Sequence, residues 1–326
     1  MNFNKCDNKT SVRPEVLILA SRYDISCDYV ISKLHKSKID YFRINREDLT
    51  SFSISLDPVK PKLDIAANGT KVTISLSDLN SIWYRRPVFI RETNLQNFSP
   101  QQLFERMQWM EFTRGFMVFG DCKWMNHPVA TYRAENKIVQ LNAANKIGFR
   151  IPKTIITNAI NSISENYADY RMLVIKGLDT VHIKKADSDI FGYTTIVNKN
   201  EFEDSVISTA PIIVQEFLEQ KLDLRVTVVS DELFCAAVKN FGKFVYGDWR
   251  LHKDTVTFED FSLPTSVKKH CIELTKSLGL NFGAIDLALQ DNEYYFLEIN
   301  PTGEWGWLVD KVGFPIDESI FRFLTC

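Results

Sequence analysis

The stretch FGAIDLALQDNEYYFLEINPTGEWGWL, residues 282–308, decides how this chain is read. In its first nine residues Ile285, Leu287 and Leu289 share one face by period-two alternation, and Asp286 lies on the other. Residues 294–300 alternate as well, with Tyr294, Phe296, Glu298 and Asn300 on one side. Two strands this close in sequence predict an antiparallel hairpin. A three-residue turn, 291–293, sets Gln290 opposite Tyr294 and Asp286 opposite Glu298, both side chains on one face. A two-residue turn sets Asp286 opposite Leu297 and parts the acids. The reading therefore expects an odd-length turn. Asp286, Glu298 and the Asn300 amide are hard oxygen donors of the kind that suits Mg²⁺. A solvated sheet face with ordinary surface acids has the same spacing. Against it, Glu298 is flanked by Phe296, Leu297, Ile299 and Pro301.

Around this hairpin the sequence predicts an α/β protein. At 326 residues the chain is long enough for roughly two domains and needs no disulfide or metal staple. Its net charge of −2 lacks the electrostatic footprint of a nucleic-acid binder. No apolar run of membrane-spanning length and no signal-peptide core appear, so no membrane partner is expected. The six cysteines form no CxxC pair, which argues against zinc and fits a reducing, cytoplasmic setting.

Strands are expected at 16–20, 41–44, 72–76 and 82–84, with a helix over 22–36. A helix over 100–119 has Ser99 as its cap. A strand at 122–125 and the turn 126–128 precede a helix over 132–147 that ends at Gly148. Further strands are expected at 154–157, 172–176, 181–185 and 193–197, then a helix over 201–208. Strands at 212–217, 224–229 and 233–238 follow. A helix over 265–278 carries Val267, Cys271, Leu274 and Leu278 on one stripe.

AIDLAL and FLEINP resemble the metal motif of ATP-grasp carboxylate–amine ligases. SIWYRRP (81–87), NHP (126–128) and EINPTGEWGWL (298–308) resemble more narrowly the ATP-grasp maturases of ribosomal peptides, the graspetide or microviridin type. The resemblance spans nearly the whole chain. It implies an ATP-grasp fold of α+β subdomains: an N-terminal α/β pre-grasp domain (1–125), a central lid-bearing subdomain (126–211) and a C-terminal ATP- and Mg²⁺-binding subdomain (212–326). It implies Lys137 and Lys176 as phosphate-binding lysines, Gln215, Glu216, Phe217 and Leu218 around the adenine, and Asp223 near the ribose. Arg225 and Arg250 are implied as catalytic arginines, and Asp286, Glu298 and Asn300 as Mg²⁺ ligands. For each of these a plain surface or packing role is the alternative.

The lid implied at 177–192 has fewer glycines than many of its kind, which leaves its details and any peptide docking at 187–197 open. Arg85 and Arg86 point to opposite faces of a strand, so at most one faces a cleft. Trp305 and Trp307 either wall the active-site mouth or pack the C-terminal segment. The implied reaction turns an Asp or Glu side chain of a ribosomal precursor peptide into an acylphosphate, then joins it to a Ser or Thr hydroxyl or a Lys amine. Leader recognition and a homodimer are implied by the resemblance alone. The alternatives are an ATP-grasp amino-acid ligase and a non-catalytic ATP-binding peptide adaptor.

Overall fold

The hairpin forms, but not by the expected turn. In the computed structural model, strand Phe282–Gln290 pairs antiparallel with Glu293–Asn300, and Gln290 faces Glu293. The turn is therefore two residues, Asp291 and Asn292, with φ of 52° and 62°. Both lie in the left-handed region that tight two-residue hairpins require and that Asp and Asn tolerate. The acids still meet. Leu287 pairs with Phe296 and Asp286 with Glu298, so Leu297 is an extra residue, a β-bulge. The bulge restores the register that the shorter turn removes. The structure describes residues 11–67, 70–85, 98–179, 182–184, 189–191, 194–201, 209–252 and 254–326.

This hairpin closes one side of a five-stranded antiparallel sheet ordered Val256–Asp260, Glu232–Asn240, Leu222–Val229, Phe282–Gln290, Glu293–Asn300. Its middle strand Leu222–Val229 is buried along its length. Leu224, Val226 and Val228 share a core with Val267, Cys271, Leu274 and Leu278, the stripe expected on the helix. Burying each such leucine or valine stabilises by about 1.5–3 kcal/mol. The opposite face of the middle strand carries Asp223, Arg225 and Thr227, all buried. Of that polar face, Asp223 lines the cleft.

The helix expected over 132–147 is two helices, Pro128–Glu135 and Lys137–Ile147. Asn136 between them is extended, and its Oδ1 accepts from the N–H groups of Ile138 and Val139, capping the second helix. Lys137 is thereby the first residue of a helix. Gly148, with φ of 103°, ends it as expected. Ala134, Ala144 and Phe149 pack in the core of the C-terminal sheet with Phe296 and Ile299. These helices thus pack with the C-terminal body, although the expected boundary counted them as central.

The central sheet is antiparallel, ordered Thr195–Asn198, Met172–Lys176, Ile212–Glu216, Thr154–Thr157. Ile212–Glu216 pairs within it, so this sheet continues past the expected boundary at 211. Of the expected lid, the hairpin His182–Lys184 with Asp189–Phe191 is described. Most of its remainder, and residues 202–208 of the helix expected over 201–208, lie outside the described residues.

The N-terminal part holds a parallel sheet, ordered Tyr41–Asn45, Val16–Ala20, Ser81–Tyr84, Lys123–Met125. A second sheet, Ser11–Val12, Thr70–Ser75, Lys62–Ala67, Ser53–Asp57, was expected as one strand only. Two C-terminal helices, Gly306–Val312 and Ile316–Thr325, also exceed the expectation. They join the ends of the chain. Ile316, Ile320, Leu324 and Trp305 share a core with Val30, Ile31 and Leu34 of helix Ser26–Lys36.

Candidate active site

A cleft opens between the central and C-terminal sheets. The central sheet contributes Val174, Lys176 and Gln215 through Leu218. The C-terminal sheet contributes Lys221, Asp223, Asp286, Leu297 and Glu298, and the loop 247–250 adds Gly247, Asp248, Trp249 and Arg250. Most residues singled out from the sequence therefore line one cavity. The strand containing Gln215 ends at Glu216, so Phe217 and Leu218 lie past the ladder. Phe217 meets Tyr246 edge-on at 5.3 Å, and Leu218 is buried. One end of the cleft is thus apolar.

The other end is charged. Arg225 Nη1 donates to Asp286 Oδ1 at 2.9 Å. Arg250 Nη1 lies 3.4 Å from Glu298 Oε1, and Lys137 Nζ lies 3.9 Å from Glu298 Oε2. Lys176 Nζ donates to Gln215 Oε1 at 3.0 Å, and Gln215 Nε2 donates in turn to Thr154 Oγ1 at 2.8 Å. So Lys137 and Arg250 converge on Glu298, and Arg225 on Asp286 opposite it.

This crowding drives the two acids apart. Burial pushes both carboxyls up. For Glu298 the charges of Arg250, Lys137, Lys176 and Arg225 outweigh burial and hold it below its ordinary value. For Asp286 burial prevails over Arg225, and the charge of Glu298 adds to the rise. Burial also lowers Lys176 to about 8, against the pull of Glu298. The paired oxygens of Asp286 and Glu298 fit a hard divalent cation, which would allow both to ionise. Asn300 pairs with Ala284, two residues before Asp286, and its Oδ1 accepts from the Thr302 N–H at 2.9 Å. Its exposed amide lies beside the pair, and no contact ties it to either acid. Among the described residues no group of three or more His, Cys, Asp and Glu forms a cation site.

Two charged cleft residues escaped the sequence reading, Lys221 and Asp248. Lys221 donates to Asp223 Oδ1 and, at 3.2 Å, to the Gly247 carbonyl. Burial raises Asp223 to about 6, with Lys221 opposing. The spacing of Lys221, Asp223 and Arg225, every second residue in KLDLR, carried the signal. Asp248 grips Arg250 through both oxygens, accepting from Nε at 2.9 Å and from Nη2 at 2.8 Å. That planar grip aims the guanidinium toward Glu298.

Arg85 does not line the cleft. It is 2% exposed, pairs with Asp24 at 2.9 Å through Nε, and donates from Nη1 to the carbonyls of Thr302 and Gly303. Its Nη2 donates to Glu304 Oε2 at 3.0 Å. It ties the parallel sheet to the loop beyond Asn300. Arg86 lies outside the described residues. Trp305 is fully buried in the core, so packing explains it, whereas Trp307 lies tilted against Phe258, ring centroids 4.2 Å apart, and 6.0 Å from the ring of Trp249, which lines the cleft.

Residues 133–324 match the family model described as RimK-like ATP-grasp domain. A RiPP-associated ATP-grasp ligase from Chryseobacterium gregarium, solved with ADP and a leader and core peptide, is similar in structure. Its TM-score is 0.83 at 25% identity, over 95% of this chain and 96% of that one. The macrocyclase MdnC of Microcystis aeruginosa MRC, solved with the precursor peptide MdnA, gives a TM-score of 0.82 at 24% identity, over 95% and 98%. A probable alpha-L-glutamate ligase of Vibrio atlanticus (strain LGP32) is 24% identical over 209 residues, 61% of this chain and 66% of that relative's length. With the family model spanning well over half of its residues, and with the ATP-grasp architecture around its cleft, the chain belongs to the RimK-like ATP-grasp family.

Proposed function

We propose that the chain is an ATP-dependent ligase that activates a side-chain carboxylate of a ribosomal precursor peptide and joins it to a Ser or Thr hydroxyl, or to a Lys amine. The observation that carries this reading is the Asp286–Glu298 pair ringed by Lys137, Arg225 and Arg250 at the charged end of an apolar-ended cleft. Phe217 and Leu218 accept the adenine in this reading, Gln215 and Glu216 flank it, and Asp223 faces the ribose. Lys137 and Lys176 hold phosphate oxygens. Asp286, Glu298 and Asn300 hold Mg²⁺, which supplies charge neutralisation on the ATP phosphates. Arg225 and Arg250 grip the acceptor carboxylate and the transferring phosphoryl group.

The chemistry balances in two displacements. A carboxylate oxygen attacks the γ-phosphorus, the bond to the bridging oxygen breaks, and ADP leaves with that electron pair. The hydroxyl or amine then attacks the acyl carbon, loses its proton, and expels inorganic phosphate. The enzyme mainly positions groups and stabilises charge. The peptide acceptor is favoured by likeness over nearly full length to a ligase solved with leader and core peptides. An amino-acid ligase is the second reading, favoured by the likeness to the alpha-L-glutamate ligase.

The test incubates the chain with ATP, Mg²⁺ and a precursor peptide encoded beside it, and follows intact mass. One water is lost per bond, with one ADP released, and Glu298→Ala abolishes both. An unchanged peptide, with ADP release driven by free glutamate, favours the second reading. A homodimer is part of the proposal by family resemblance, and light scattering tests it.

A further inference from the structure

We propose that Gln140 is a positioning residue for the metal-binding strand: its amide takes the place of a missing neighbouring strand and fixes the backbone between Glu298 and Asn300. The inference rests on the metal-site reading above and concerns how that site is held.

Among the described residues, strand Glu293–Asn300 is the last of its sheet, and beyond a single bridge from Arg150 to Tyr295 no strand covers its outer edge. An edge strand leaves backbone N–H and C=O groups to be satisfied elsewhere. At Ile299, between two proposed ligands, one side chain satisfies both. Gln140 Nε2 donates to the Ile299 carbonyl at 2.8 Å, and Gln140 Oε1 accepts from the Ile299 N–H at 3.1 Å. The remaining Nε2 hydrogen goes to the Ala134 carbonyl at 2.6 Å. Both amide donors are thus used, and the side chain is 3% exposed. A primary amide presents a donor and an acceptor side by side, the same pair a strand backbone offers.

The same helix does a second thing. Lys137 lies one turn before Gln140 and places its Nζ 3.9 Å from Glu298 Oε2. One helix therefore holds the backbone that carries the ligands and brings a cation to one of them. A helix shift changes both together. Without the amide, Ile299 has two buried backbone groups to satisfy, and the 298–300 segment is held on one edge only, by its pairing with 284–286.

The experiment measures Mn²⁺ binding in the presence of ADP by the electron paramagnetic resonance of free Mn²⁺. It compares the unaltered chain with Gln140→Met, which keeps length and loses the bonds. ADP affinity with the metal chelated and the thermal midpoint are measured alongside. Outer contacts to a metal site typically cost 10–100-fold in metal affinity when lost. The expected result is a loss of about tenfold in Mn²⁺ affinity, with metal-free ADP affinity unchanged. Gln140→Asn, the same amide one methylene short, is the second variant should Gln140→Met fail to fold, and it shows the same loss. Unchanged Mn²⁺ affinity in either folded variant overturns the proposal, as does an equal loss of metal-dependent and metal-free ADP binding. If the unaltered chain binds no Mn²⁺ with ADP, the metal-site reading fails first, and all three proteins behave alike.

Discussion

Asp286 stands opposite Glu298 because Leu297, one residue before Glu298, has no partner across the hairpin. The bulge is coupled to the turn: a two-residue turn shortens the hairpin by one, and the bulge returns that residue beside the site. Asn292 holds the turn at φ of 62°. A β-branched residue there meets the left-handed penalty of about 1–2 kcal/mol. Asn292→Val is expected to lower unfolding free energy in urea by that amount, while Asn292→Gly is neutral or mildly stabilising.

Lys176 gives the nucleotide site a pH dependence with a definite sign. Burial lowers it from 10.5 to about 8 in the nucleotide-free protein. Below pH 8 it is charged and ready for phosphate. Above pH 8 it is neutral, so binding a phosphate must take up a proton. ADP affinity therefore falls as pH rises above 8, by up to about tenfold per pH unit. Lys176→Arg stays charged and flattens the profile. Calorimetry in buffers of different ionisation enthalpy detects the proton directly.

Gly303 has no room for a side chain. A Cβ there lies 2.4 Å from Ala284 Cβ and 2.8 Å from Arg225 Nη2. Ala284 is anchored in the sheet, so Arg225 and the loop must yield. Gly303→Ala is expected to cost about 1–3 kcal/mol in stability by overpacking. Turnover falls further than stability alone explains, because Arg225 loses its bond to Asp286. Steady-state rates measured on protein shown to be folded test this.

Arg85 and Asp24 form a buried ion pair that joins the N-terminal sheet to the loop 302–304. Arg85→Met strands a buried carboxylate and is expected to cost about 3–5 kcal/mol. Adding Asp24→Asn removes the stranded charge and recovers part of that loss. Scanning calorimetry of the single and double variants measures the difference.

Alternation made the hairpin and the polar face of Leu222–Val229 legible from sequence, because side chains in a strand repeat every two residues. It did not make the bulge legible. A three-residue turn, or a two-residue turn with a bulge, sets the same acids opposite each other with the same residue count. Asn136 hid a helix break, since capping depends on backbone geometry that the helical pattern on either side conceals. The strands Ser53–Asp57 and Lys62–Ala67 were missed because Ser, Asp and Lys dilute their apolar faces. Strand parity left open which of Arg85 and Arg86 could face a cleft, because the burial of Arg85 depends on Asp24 and the 302–304 loop, which lie far away in the chain. The packing of helices 128–147 onto the C-terminal sheet is likewise a tertiary choice that local pattern does not carry.

The most direct test of the central claim labels the acceptor carboxylates of the peptide with heavy oxygen and follows the label through turnover. If the carboxylate attacks the γ-phosphorus, one labelled oxygen appears in inorganic phosphate for each bond formed. Phosphate free of label, with bonds still forming, contradicts an acylphosphate and the account built on it.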